Sequence, residues 1–207
     1  MQIIPIEYGK STLPESLCFA GGDKNKFRDI VFKVFLIKTD EKIILIDAGC
    51  ETMPGFDMKD FSGSVKALEK INITPDKITD VVITHAHHDH IECVKYFEKA
   101  CVHIQKDEYV KGKKYIPEGM LVKTFDDEFS LCENVKIIKS GGHSIGSSIV
   151  EITEVDKIYI ISGDECYLRE CLDKKIPTGS SVNTEASKNF VEKYSDKKYT
   201  VLLCHDE

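Results

Sequence analysis

The sequence predicts a layered α/β domain, with sheets inside and helices outside. Three observations predict it. Short runs rich in isoleucine and valine recur through both halves of the chain. Between several of them lie segments whose apolar residues fall at helical spacing. The 207 residues, 42% hydrophobic and 30% charged, suit one globular domain able to bury its own core. A single domain over residues 1–207 is therefore expected, and no linker, low-complexity segment or fixed repeat interrupts it.

The elements follow in order. Ile30 to Thr39 reads as a strand and Lys42 to Ile46 as its partner, with Asp40 and Glu41 suiting a tight hairpin turn. The second strand runs into Asp47-Ala48-Gly49, a carboxylate at a strand end before a glycine turn. Ser62 to Ile71 carries Val65, Leu68 and Ile71 at helical spacing, with Ser62 or Ser64 available as N-cap. Asp80 to Thr84 is a short buried strand, and Ile91 to Lys99 a helix packing through Val94 and Phe97. Val102 to Gln105, Leu121 to Phe125, Val135 to Lys139, Ser148 to Ile152, Ile158 to Ser162 and Thr200 to Cys204 read as further strands. Ser187 to Tyr194 is a helix with Phe190, Val191 and Tyr194 on one side.

Charge and cysteine usage exclude several function classes. A net charge of −7 opposes phosphate-backbone binding, which needs clustered lysine and arginine. The lysines of residues 111–114 and 197–198 are interspersed with acidic neighbours and read as solvated surface. No apolar run approaches the roughly 20 residues that span a bilayer. Neither nucleic acid nor membrane is an expected partner. The eight cysteines form no C-x-x-C pair, and Met1 to Glu7 lacks the basic and then apolar regions of a secretory signal. Reduced thiols in a cytoplasm are expected, most of them small core residues.

The chemistry concentrates in Thr84-His85-Ala86-His87-His88-Asp89-His90, directly after the apolar run Val81-Val82-Ile83. Folding alone explains this poorly, because histidine is a weak former of regular structure and clustered imidazoles repel once protonated. Neutral imidazoles and a carboxylate are what a divalent transition metal binds. The spacing offers two groups of donors, one for each of two neighbouring ions. Three further donors also stand at the ends of apolar strands. They are His143 in a glycine-rich segment, Asp164 after Ser162-Gly163, and His205 after Leu202-Leu203-Cys204. His103 lies inside a predicted strand and reads as a structural or partly exposed residue.

The string His85-x-His87-x-Asp89-His90, with Gly142-His143, Gly163-Asp164, a final His205 and the earlier Leu45-Ile46-Asp47-Ala48-Gly49, resembles the metallo-β-lactamase-fold hydrolases. The resemblance runs from about residue 30 to residue 205. It implies a four-layer αβ/βα sandwich, with two mostly antiparallel sheets flanked by helices and the site at one edge. It also implies two divalent metal ions. His85, His87 and His143 would hold the first, and Asp89, His90 and His205 the second, with Asp164 bridging both. Zinc suits these ligands, as do iron, manganese and cobalt. Asp47 would orient the histidine loop, and His88 stands where the family has no ligand, as an exposed loop residue.

Such a pair of ions implies hydrolysis by a bridging hydroxide, with Asp89 and Asp164 balancing charge. The substrate expected is a small molecule with an ester-type bond. Tyr167, three residues after Asp164, resembles the tyrosine of the N-acyl-homoserine lactone lactonases, whose hydroxyl can reach a carbonyl oxygen at the metals. A lactone is the substrate this implies, and packing at a helix start is the other role open to Tyr167. The chain departs from that subgroup at Ile91-Glu92, where relatives carry small residues, and in being shorter. Tyr8, Leu13, Leu17, Cys18, Phe19 and Phe27 are candidates for a substrate wall. The alternatives are a thioesterase resembling glyoxalase II, whose C-terminal helical domain has no counterpart here, and a non-catalytic metal-binding sensor module. Dimerisation, frequent among relatives, makes a homodimer compatible with the resemblance.

Overall fold

The computed structural model describes residues 1–206. By its internal contacts the chain divides into two compact units, residues 1–11 with 31–125 and residues 12–30 with 126 onward. The strands are β1 (Gln2–Pro14), β2 (Phe27–Lys38), β3 (Ile43–Ile46), β4 (Asp80–Ile83), β5 (Cys101–Gln105) and β6 (Val122–Phe125), followed by β7 (Glu128–Cys132), β8 (Val135–Lys139), β9 (Ser148–Thr153), β10 (Ile158–Ile161) and β11 (Tyr199–Leu202). The helices are α1 (Glu15–Cys18), α2 (Ser64–Lys70), α3 (His88–Ile91), α4 (Lys106–Gly112), α5 (Arg169–Lys174) and α6 (Thr184–Tyr194).

The first unit is built on a six-stranded sheet in the order β1-β2-β3-β4-β5-β6. Thr39 closes the β2–β3 hairpin, its hydroxyl accepting the Lys42 amide at 2.9 Å. From β3 to β6 every pairing is parallel, because helical segments carry the chain back between successive strands. Strand β4 is buried along its whole length, as a central parallel strand covered on both faces should be. Leu45, Ile46, Val81, Val82, Ile83 and Ile104 make its core, each worth about 1.5–3 kcal/mol on burial. Since β3 and β4 run in the same direction with Ile46 opposite Val82, Asp47 and Thr84 emerge at the same sheet edge.

The second unit carries the sheet β11-β10-β9-β8-β7. Strands β8 and β10 are each antiparallel to β9 between them, and β11 is parallel to β10. The carboxyl ends of β8, β10 and β11 therefore share one edge, and these ends precede His143, Asp164 and His205. Ile137, Val150, Ile152, Ile160, Ile161 and Val191 are buried beneath them.

The predicted α/β class holds, with helices flanking two sheets. The first sheet is mixed rather than mostly antiparallel, since helical crossovers impose parallel pairing on β3–β6, whereas the second is antiparallel except at β10–β11. The other corrections are local. Helix α2 starts after Gly63, whose φ of 77° no serine would favour, and neither Ser62 nor Ser64 caps it. The Ser64 hydroxyl instead donates to the Ala48 carbonyl at 2.6 Å. The helix expected over residues 91–99 begins earlier, within the histidine loop, and continues as a 3-10 turn over Glu92–Tyr96. β1, β7, α1, α4 and α5 have no counterpart in the sequence reading. No helix among the described residues is long and apolar enough to cross a membrane.

His103 is buried rather than partly exposed. Its Nε2–H donates to Asp80 Oδ1 at 2.8 Å, and Lys42 Nζ reaches Asp80 Oδ2 at 2.8 Å. Burial opposes ionisation of Asp80, but hydrogen bonds from His103, Lys42 and Thr79 outweigh it and hold the carboxyl well below the usual range. With Cys101 nearby this is a donor cluster. The Lys42 ammonium already supplies the cation, so the cluster reads as structural.

Candidate metal centre

In the first unit the site begins at the end of β3. Asp47 adopts a φ of 61°, a left-handed conformation that aspartate tolerates better than most residues. Gly49 follows with φ 70°, and an added Cβ there would lie 2.4 Å from Ser64 Cβ, so only glycine fits. This turn carries the Asp47 carboxylate across to the loop leaving β4. Oδ1 accepts the Thr84 amide at 2.8 Å, and Oδ2 accepts the Thr84 hydroxyl at 2.9 Å and His90 Nδ1–H at 2.7 Å. Because its proton goes to Asp47, the Thr84 hydroxyl accepts from His85 Nδ1 at 3.1 Å. One buried carboxylate thus sets two imidazoles with the proton on Nδ1 and the lone pair on Nε2, the tautomer a metal ligand needs.

His87 stands beside them, its Nδ1 3.0 Å from His85 Nε2, and His90 Nε2 lies 3.5 Å from Asp89 Oδ2. Two further residues hold the loop. The Tyr8 hydroxyl donates to the Asp89 carbonyl at 2.8 Å, and Glu108 of α4 accepts the Ala86 amide at 2.9 Å. Burial, reinforced by Cys50 and Asp89, pushes the Tyr8 phenol well above its ordinary pKa, so it remains a donor. His88 points elsewhere. It is half-buried rather than exposed, and its Nε2–H donates to the Thr52 carbonyl at 2.9 Å.

In the second unit Asp164 lies on a 3-10 turn, Gly163–Glu165, after β10. Its two oxygens face two imidazoles. His205 Nε2 is 3.0 Å from Oδ1 and His143 Nε2 is 3.6 Å from Oδ2, and all three side chains are buried. Tyr167 stacks on His205 with ring centroids 5.0 Å apart and meets His143 edge-on at 6.1 Å. It lies between the 3-10 turn and α5, buried against two of the predicted ligands.

The structure thus brings His85, His87, Asp89 and His90 together on one loop of the first unit. It brings His143, Asp164, His205 and Tyr167 together at one edge of the second. Sequence reasoning assigned no role to Thr84, Glu108 or Glu165. Glu165 was adjacent to a predicted ligand, whereas nothing in the sequence linked Glu108 to a loop 22 residues away. Of the proposed wall, Tyr8, Leu13, Cys18 and Phe19 are buried, while Leu17 and Phe27 are exposed.

A family profile described as the metallo-beta-lactamase superfamily matches residues 33–205. A probable metallo-hydrolase of Methanocaldococcus jannaschii is 27% identical over 142 residues, which are 69% of this chain and 64% of that protein. An N-acyl homoserine lactonase of Bacillus thuringiensis is 21% identical, with 97% of this chain and 91% of the relative covered. Among solved structures, an N-acyl homoserine lactone hydrolase with N-hexanoyl-L-homoserine at its catalytic metal centre superposes with a TM-score of 0.85 at 19% identity. That match covers 99% of this chain and 92% of the other. A dizinc quorum-quenching lactonase superposes with a TM-score of 0.80 at 18% identity, covering 99% and 87%. At these identities the superpositions establish a shared fold.

Proposed function

Because the chain belongs to the metallo-β-lactamase superfamily, we propose that it is a metal-dependent hydrolase with a dinuclear site, and that it opens a lactone ring or cleaves a related carboxylic ester. The observation that carries this reading is the Asp164 carboxylate, which presents one oxygen to His205 and the other to His143. A buried carboxylate shared between two imidazoles fits a bridging ligand. The donor set fits as well, for imidazoles and carboxylates without a thiolate suit zinc, iron, manganese or cobalt. His85, His87 and His143 would hold one ion, and Asp89, His90 and His205 the other. Zinc is the ion proposed, in keeping with the dizinc relative.

Ions bound there would supply hydroxide near neutral pH and polarise the substrate carbonyl. The protein's own contribution is orientation. Asp47 and Thr84 fix the tautomers of His90 and His85, so that both imidazoles offer Nε2 to an ion. The Tyr167 hydroxyl is assigned to the carbonyl oxygen, where a donor steadies the charge that develops as the ester opens. Its ring is held for this by the stack on His205. Seven of the eight cysteines are buried thiols, which suits a reducing compartment, and a small-molecule substrate in the cytoplasm is proposed.

The test is a panel of lactones of varied acyl length, simple esters, thioesters and phosphodiesters, assayed with the zinc-loaded protein. Lactone opening as the fastest reaction is the expected result. A preference for thioesters would transfer the assignment to a thioesterase. No turnover of any ester with both ions bound would overturn the enzyme reading in favour of a metal sensor.

A further inference from the structure

Glu165 is fully buried, immediately after Asp164, and its carboxylate has no place in the ligand set. One of its oxygens, Oε1, collects four donors from a single loop. These are the Ser140 hydroxyl at 2.8 Å, the Gly142 amide at 3.1 Å, the His143 amide at 3.0 Å and the Ser147 hydroxyl at 2.6 Å. The other oxygen accepts from the Ser187 hydroxyl of α6 at 3.3 Å. Gly142 permits this approach, since an added Cβ would lie 2.2 Å from Glu165 Oε2 and 2.4 Å from Ser187 Oγ. Hydrogen bonds to a buried carboxylate are among the strongest a loop can make.

We propose that Glu165 is a positioning residue that fixes the His143 imidazole against Asp164 and thereby selects for the ion His143 would ligate. The inference rests on the dinuclear reading. The short turn Gly163–Glu165 carries two carboxylates with divided roles. Asp164 faces the imidazoles of His143 and His205, while Glu165 grips the backbone of the loop bearing His143. Any movement of that turn therefore carries ligand and loop together, and the His143–Asp164 spacing is kept. Outer partners that orient a ligand are typically worth about 10–100-fold in metal affinity.

The test titrates metal-free wild-type protein, Glu165→Ala, Glu165→Gln and Ser147→Ala with zinc against a chromophoric chelator. Visible spectra of the cobalt-loaded forms and melting temperatures of the metal-free forms accompany it. Glu165→Ala is expected to weaken one of two zinc sites by ten-fold or more while the other holds, with an altered cobalt spectrum. Glu165→Gln keeps an acceptor oxygen and is expected to restore most of the loss. Wild-type affinity at both sites in Glu165→Ala overturns the proposal. So does an equal weakening of both sites that only tracks a lower melting temperature. Should Glu165→Ala fail to fold, Ser147→Ala decides, because it removes one donor of four. A selective loss of two-fold or more supports the proposal, and unchanged affinity overturns it. Wild-type protein that takes up fewer than two zinc ions would instead sink the dinuclear reading, and the inference with it.

Discussion

Asp47 Oδ2 lies 2.7 Å from His90 Nδ1, and through the Thr84 hydroxyl the same oxygen also governs His85. A buried carboxylate outside the proposed ligand set thus sets the tautomer of two candidate ligands, and does so from a left-handed backbone conformation at a strand end. Strain of this kind costs of order 1 kcal/mol or more and persists where the surroundings over-determine it.

Asp47→Asn should therefore weaken metal binding more than it weakens the fold. The amide offers N–H where His90 or Thr84 also donates. Zinc affinity is expected to fall about 10–100-fold, measured by chelator competition. An affinity within two-fold of wild type, about 0.4 kcal/mol by the free-energy scale of binding, would show that Asp47 does not orient the ligands.

Asp164→Asn should reduce occupancy of both ions and nearly abolish ester hydrolysis, since the neutral amide cannot offer two anionic oxygens to His143 and His205. Metal content by elemental analysis and initial rates check this together. Wild-type rates in the variant would contradict the bridging assignment.

Tyr167→Phe keeps the ring that stacks on His205 and removes only the hydroxyl. If that hydroxyl steadies charge on the carbonyl oxygen, lactone opening should slow about ten-fold, a loss of about 1.4 kcal/mol, with metal content unchanged. An unchanged rate would return Tyr167 to a packing role.

Asp80 provides a prediction independent of metal. Its carboxyl is held below the usual range in the folded protein, so the folded state binds that proton more weakly than the unfolded chain does. The resulting stability is fully present above the unfolded value of about 3.9 and is lost as pH falls through the lower folded value. Asp80→Asn should cost about 3 kcal/mol at pH 7, because His103 and Lys42 lose their anionic partner. The difference from wild type should shrink steadily below about pH 4. Denaturant midpoints for both proteins across that range measure it, and a difference independent of pH would contradict the assignment.

The clustering of the histidine loop and the strand-end donors were legible because metal chemistry restricts residue type, and because apolar strands mark their own ends. The expectation that Asp47 orients the loop came from the family resemblance of Leu45-Ile46-Asp47-Ala48-Gly49, and its hydrogen bonds to Thr84 and His90 agree with it. Strand β1 was not legible. Its short apolar run Ile3-Ile4-Pro5-Ile6 is interrupted by a proline and followed by glutamate, tyrosine, glycine and lysine, although Tyr8 within it holds the Asp89 carbonyl. Helix α4 was hidden for a related reason. Lys106–Gly112 is short and polar, capped by the Gln105 side chain, and its one buried acid, Glu108, finds its partner through tertiary packing. The start of α2 was misplaced because Ser64 spends its hydroxyl on the Ala48 carbonyl, a contact no local pattern encodes.

The central claim is a hydrolase that works through two ions. It is tested most directly by titrating metal-free protein with zinc while following lactone opening by proton release. The rate should rise to a plateau at two equivalents per chain. A plateau at one equivalent, or full activity without metal, would contradict the account.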